Sequence, residues 1–196
     1  MGAKVFIDGE VGTTGLQIRD RLLKRSDITL VSLPEDKRKD PGARAAAFAE
    51  LAAGQRDAIA AARLVSNPGC YSTCAIALLR PLTDAGLVAA DAALSIFGIS
   101  GYTGGGKAMI AEFESGESQG AFVYATTQAH KHIPEVVKYA GLAAKPIFVP
   151  SVGHFAQGMV VQIPLHLKPG GAAAAHAALA AHYAGSRFVS VRPADQ

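Results

Sequence analysis

The chain has 196 residues, 49% of them hydrophobic and 18% charged, a composition that can bury a core and is not that of a disordered segment. Its length suits one domain or two small ones. The net charge of +3 is mild and the positive residues are scattered apart from Lys37, Arg38 and Lys39, which argues against a nucleic-acid partner and suits a cofactor or substrate phosphate.

No apolar run approaches the ~20 residues that span a bilayer, so no membrane partner is expected. The first residues lead straight into a strand-like run, so no signal peptide is expected either. Cys70 and Cys74 stand four apart on an expected helix. They make no disulfide framework, and without a second Cys/His pair they make no metal site. A reducing cytoplasm is the expected compartment.

In chain order, Lys4 to Asp8 reads as a strand, Gly9, Gly12 and Gly15 as a glycine loop, and Leu16 to Leu23 as a helical pattern. Ile28 to Leu33 is a second strand. A strand, glycine loop, helix and strand open a doubly wound nucleotide fold, with an expected parallel, right-handed connection. Then the pattern stops. From Pro34 to Ala62 a charged stretch and an Ala-rich stretch, helical in part, carry no Val/Ile-rich run, although further βαβ units of roughly 30 residues each belong there. The next strand-like run is only Arg63 to Ser66.

Cys70 to about Asp84 reads as a helix and Leu94 to Ser100 as a strand. A glycine loop from Gly101 to Lys107 precedes a short helix, Ala108 to Phe113. Phe122 to Thr126, Ile147 to Pro150, Met159 to Leu167 and Phe188 to Val191 read as strands. Pro134 to Tyr139 and an Ala-rich run preceded by Gly170 and Gly171 and reaching about Gly185 read as helices. The fold class is therefore α/β: an incomplete Rossmann-like nucleotide domain over residues 1–69, then an α+β catalytic domain with a mixed sheet over residues 70–196.

Four clusters can carry chemistry. In Gly9-Glu10-Val11-Gly12-Thr13-Thr14-Gly15 the glycines let the backbone approach a pyrophosphate at a helix start, and the threonines add hydroxyl donors. A plain strand-to-helix turn would also use such glycines. In Ser66-Asn67-Pro68-Gly69-Cys70 the turn residues put Cys70 at a helix N-terminus, where dipole and amides push a thiol toward the nucleophilic thiolate. Cys74, one turn on, suits a small buried thiol. His130-Lys131-His132-Ile133-Pro134-Glu135 offers a proton shuttle and a cation for a phosphate or carboxylate, and also fits a solvated basic loop. Gly104-Gly105-Gly106-Lys107 lacks the spacing of an ATP loop but could close over a substrate anion. Of the other histidines, His154 is notable for its glycine-flanked loop; His166, His176 and His182 read as structural or exposed.

Taken together, GEVGTTGLQIRDRL, SNPGCYST, GISGYTGGGKAMI, HKHIPEVVKY and PSVGHFAQGM resemble the shorter-chain type of N-acetyl-γ-glutamyl-phosphate reductase, in that family's order and over nearly all residues present. Aspartate-semialdehyde dehydrogenases share the fold and a catalytic cysteine but match these motifs less well. The resemblance implies NADPH-dependent reduction of N-acetyl-γ-glutamyl phosphate to the semialdehyde in arginine biosynthesis, through a Cys70 thioester. It implies His132, or else His130, as acid/base, and Asn67, Lys107 and Lys131 near the substrate. It places NADP on Gly9, Gly12, Thr13, Thr14 and Gly15, with its 2′-phosphate near Ser32, Lys37 and Arg38, and it implies a homodimer or homotetramer. The sequence departs from the family where Asp36–Arg44 and Phe48–Gln55 are joined by little more than Ala45 to Ala47, and a glycine-rich helix expected beyond Gln196 is not part of the sequence. The alternatives are a folded substrate or oligomerisation domain without turnover, or an aspartate-semialdehyde-type dehydrogenase.

Overall fold

The computed structural model describes residues 3–6, 13–31, 51–61 and 68–194. Strand β1 (Ala3–Phe6), helix α1 (Thr13–Leu22) and strand β2 (Ile28–Val31) form one βαβ unit, in which β1 and β2 pair in parallel with Ala3 opposite Ile28. The expected parallel connection is present. Among the described residues this two-stranded sheet has no further strand, so no more of a doubly wound domain than this unit is described. Helix α2 (Gln55–Ala61) falls in the Ala-rich stretch, and the strand expected over Arg63 to Ser66 lies outside the described residues.

The remainder is built on a four-stranded mixed sheet. Its strands are β3 (Ser95–Gly101), β4 (Ala121–Val123), β5 (Ile147–Gly153) and β6 (Met159–Gln162), in the order β4-β5-β3-β6. The central pair β3 and β5 is parallel, and β4 and β6 run antiparallel on either side. Between β3 and β5 the chain makes a 3₁₀ turn (Tyr102–Gly105), α4 (Lys107–Glu114), β4 and α5 (His132–Tyr139). Helices α3 (Cys70–Asp84), α5 and α6 (Gly171–His182) supply the core.

The sequence pattern explains that core. On α3, Tyr71, Ala75, Leu79 and Leu82 recur at helical spacing and are buried, as are Ile133, Val136 and Ala140 on α5. They meet Ile96 and Phe148, which alternate inward on β3 and β5. Pro81 inside α3 cannot bond the Ala77 carbonyl, and the Tyr183 hydroxyl after α6 donates to that oxygen instead, at 2.7 Å.

Three expected strands differ, the first being that expected over Phe122 to Thr126, which ends at Val123, just before Ala125 takes a left-handed φ of 52°. Pairing of β6 stops at Gln162, two residues before Pro164, which has no N–H for a ladder. Phe188 to Val191 is not a strand. That segment lies alongside α6, where the His176 ring holds the Arg192 carbonyl at 2.7 Å, and it pairs with no strand among the described residues.

Among the described residues, only one face of the mixed sheet is covered. On the other, Phe97 lies between Val149 and Gln162, and Ile99 between Ser151 and Val160. Phe97, Val123, Ile147 and Val160 are each 41–56% exposed, a large apolar area for one side of a sheet.

Candidate active site

Cys70 is the first residue of α3. The N-cap is Gly69, in an extended conformation with φ −61° and no side chain of its own to cap the helix, so Cys70 stands directly at the helix end. The helix is fixed over the sheet by Tyr71. Its ring fills the space above Gly98, where a Cβ would come within 2.4 Å of Tyr71 Cε1, and its hydroxyl donates to the Ser151 carbonyl at 2.7 Å. The Ser100 and Tyr124 hydroxyls lie near enough to the Tyr71 hydroxyl to influence it, and Tyr124 is close to Cys70 as well.

The HKHIPE segment meets the same point. His132 opens α5 and is 6% exposed. Its ring lies on Gly69, where a Cβ would come within 2.0 Å of Nε2. His130 stacks edge-on to it with ring centroids 4.4 Å apart, and His130 Nδ1 accepts the His132 backbone N–H at 3.2 Å. That bond leaves the neutral His130 proton on Nε2. The preceding loop bends through left-handed φ values at Ala125 (52°) and Gln128 (58°). The Gln128 amide donates to the Phe148 carbonyl and accepts its N–H, both at 2.8 Å, which pins the loop to β5. Glu135, one turn after His132, reaches α3: its Oε2 accepts the Gly69 N–H at 2.9 Å and the Ser72 hydroxyl at 2.6 Å.

The electrostatics correct one expectation. Cys70 is exposed at the surface, yet the protein packed around its sulfur pushes the thiol above its ordinary value. The Tyr71 and Cys70 amides and the Lys131 ammonium pull it down, as the helix start should, and Glu135 adds to the rise, but desolvation is the larger effect. Burial lowers His132 to about 3, helped by His130 and Lys131, and also lowers His130. The pair therefore rests as thiol and neutral imidazole. His132 Nδ1 is buried without a hydrogen-bond partner among the described residues, beside a small apolar cavity lined by Tyr71, Ile96 and Phe148 among others. Cys74 is half-buried, also raised by burial, with its sulfur 3.6 Å from Met159 Sδ.

Of the residues expected from sequence, Cys70, His130, Lys131 and His132 come together. Lys107 is exposed at the start of α4, and none of the described contacts joins it to Cys70. Asn67, Gly9, Gly12, Ser32, Lys37 and Arg38 lie outside the described residues. Thr13, Thr14 and Gly15 form the first turn of α1, which starts three residues earlier than its apolar pattern. His154 is exposed in an aromatic cluster, its ring 5.4 Å from Phe113 and 6.3 Å from Tyr102. No group of three His, Cys, Asp or Glu side chains that could hold a metal ion occurs among the described residues. Nor is any helix among them long and apolar enough to cross a membrane.

Residues 70–196 match the family model of the semialdehyde dehydrogenase dimerisation domain. Proteins named N-acetyl-gamma-glutamyl-phosphate reductase from Brucella ovis, Brucella canis and Brucella abortus (strain S19) are each 42% identical over 252 aligned positions, which cover all of this chain and 81% of theirs. The chain belongs to the N-acetyl-γ-glutamyl-phosphate reductase family. Against 196 residues here, 252 aligned positions leave 56 without a residue of this chain. The family members compared thus carry an internal stretch that this one lacks, in keeping with the abrupt junction at Ala45 to Ala47.

The contact between His132 and Gly69 yields a direct prediction. Gly69 has φ −61°, which alanine adopts freely, so Gly69→Ala adds only a methyl group. That methyl would stand 2.0 Å from His132 Nε2, and the ring must move. Displacing a reacting group by about 1 Å costs roughly 100-fold in rate. Gly69→Ala is expected to keep its circular dichroism spectrum and lose turnover on that scale; unchanged turnover would show that the His132 position does not matter.

Proposed function

We propose that this chain reduces N-acetyl-γ-glutamyl phosphate to N-acetylglutamate semialdehyde and phosphate, with Cys70 as nucleophile and NADPH as reductant, as in arginine biosynthesis. The observation that carries this reading is Cys70 at the first position of a helix, with its own amide and that of Tyr71 directed at the sulfur, beside the His132 ring, in a chain of this family.

The acyl carbon enters at Cys70. The thiol loses its proton as sulfur attacks, and the receiving group is His132, with His130 the second candidate. The amides of Cys70 and Tyr71 face the sulfur and can donate to the oxyanion of the tetrahedral intermediate. The C–O bond to phosphate breaks, leaving the Cys70 thioester. Lys131, close enough to lower the thiol, carries the charge for the departing phosphate or the substrate carboxylate. Splitting the reaction at a thioester replaces one difficult step with two easier ones.

The nucleotide fits the one βαβ unit described: parallel strands, and a helix that starts at Thr13 directly after a glycine run. The backbone of Gly9, Gly12, Thr13, Thr14 and Gly15 would hold its pyrophosphate at the start of α1, and Ser32, Lys37 and Arg38 its 2′-phosphate. NADPH supplies the hydride that takes the thioester to the aldehyde level. Residues 1–69 then serve the nucleotide and residues 70–196 the substrate, a division supported by the family-model match beginning at residue 70. The deciding experiment is the reverse reaction. Phosphate-dependent reduction of NADP by N-acetylglutamate semialdehyde supports the reading, and its absence at millimolar substrate overturns it.

The uncovered sheet face completes the proposal. Phe97, Ile99, Val149 and Val160 form an apolar surface in a domain whose family model is a dimerisation domain, and it is the surface a second copy of this chain would cover. Phe97→Glu is expected to turn a dimer or tetramer into a monomer in light scattering. A wild-type monomer at high concentration would refute the interface.

A further inference from the structure

We infer that Glu135 is a positioning residue: one carboxylate oxygen, reaching from α5, completes the N-terminus of α3 and fixes Cys70 against His132. The inference rests on the reaction proposed above and adds a residue to it.

A helix start leaves four amides without partners, and a Ser, Thr, Asp or Asn cap normally takes one in the first turn. Gly69 has no side chain to do so. In a capping box a glutamate at the third helical position returns to the N-cap amide. Here the third position is Ser72, whose hydroxyl donates to Glu135 Oε2 at 2.6 Å, and that same oxygen accepts the Gly69 N–H at 2.9 Å. The box is closed by a residue 66 positions away from Gly69. Residues on both sides of Cys70 are tied to one atom, and the Cys70 and Tyr71 amides stay directed at the sulfur rather than consumed by a cap.

The tie also fixes the histidine. His132 and Glu135 are three apart on α5, so they share a helix face. The Ser72 hydroxyl also lies 3.5 Å from the His132 carbonyl. A helix that slid relative to α3 would carry the imidazole off Gly69. The negative charge is part of the arrangement: it favours the helix N-terminus, yet it opposes thiolate formation at Cys70. Among the described residues, the other charged or titratable groups that act on this sulfur are Lys131 from the loop before α5, Tyr124 after β4, and Tyr71 and Cys74 on its own helix.

Charge and anchor separate by substitution. Glu135→Gln keeps an oxygen that can accept from Gly69 and Ser72 but removes the charge; Glu135→Ala removes both. The readouts on the full chain are Gly69 amide hydrogen exchange, the pH dependence of Cys70 alkylation by iodoacetamide followed by site-resolved mass spectrometry, and kcat. In Glu135→Ala, Gly69 exchange should accelerate at least tenfold and kcat should fall at least tenfold with KM little changed. Glu135→Gln should restore both most of the way. In both variants the alkylation midpoint should move to lower pH. Unchanged Gly69 exchange in Glu135→Ala, or a glutamine variant no better than alanine, overturns the inference. Exchange and alkylation need no turnover. A wild-type chain without reductase activity, but with these responses, would sink the assigned reaction and leave the anchoring role of Glu135 standing.

Discussion

Cys70→Ser is expected to abolish acyl transfer, with phosphate release from the acyl phosphate falling on the order of a thousandfold or more while the fold is kept. The fold survives because Cys70 is exposed and its sulfur fills no core position. The chemistry does not survive because the site has little to activate a hydroxyl. His132 is held near 3 by burial and is a weak base. The Cys70 thiol, even raised by desolvation, loses its proton far more readily than serine, and its sulfur is the better nucleophile. The measurement needs no nucleotide: native chain mixed with N-acetyl-γ-glutamyl phosphate should release phosphate and gain one acyl group on Cys70 by mass. A serine variant acylated at the native rate would remove Cys70 from the mechanism. The same preparation tests the second thiol. Cys74 is half-buried against Met159, so Cys70 should be alkylated first near neutral pH through access rather than through a depressed pKa. Equal labelling in the folded protein would contradict that.

What the sequence discloses here is local. The helix from Cys70, the strands after Leu94 and Pro146, and the Ala-rich helix follow from periodicity and punctuation that neighbouring residues carry themselves. The turn Asn67-Pro68-Gly69 marks the helix start, and so marks Cys70. Pairings across the fold are different. Glu135 stands in plain view in HKHIPE, but its partners are 63 and 66 residues away, and no spacing rule connects them. The only local sign is its place one turn after His132. The raised Cys70 thiol is hidden for the same reason: a helix start predicts a depressed value, whereas the desolvation comes from segments that only the fold assembles around the sulfur. Phe188 to Val191 shows the converse error. Its alternation suits a strand, but a strand needs an edge to pair with, and sequence does not say which edges remain free.

NADP is expected to bind this chain at least about tenfold more weakly than it binds the Brucella ovis relative, and reduction of the Cys70 thioester to be slower by roughly 100-fold. Part of the cradle is described: β1 and β2 are parallel, α1 starts directly after the glycine run, and α1 rests on the 3₁₀ turn that follows β3. The reacting end of the dinucleotide must be aligned with the thioester carbon to about 3–3.5 Å, and in a doubly wound domain that alignment comes from the strands after the second. The relatives' alignment has 56 positions with no residue here, and the sequence junction at Ala45 to Ala47 falls where those strands belong. A ligand gripped at one end keeps its charge contacts and loses apolar contact area and orientation, so rate suffers more than affinity. Calorimetric titration with NADP, and single-turnover reduction of the preformed acyl-enzyme by NADPH, measure the two quantities separately. Binding as tight as in the relative, together with an equal single-turnover rate, would mean that other residues, of this chain or of a neighbouring subunit, take the place of the missing stretch.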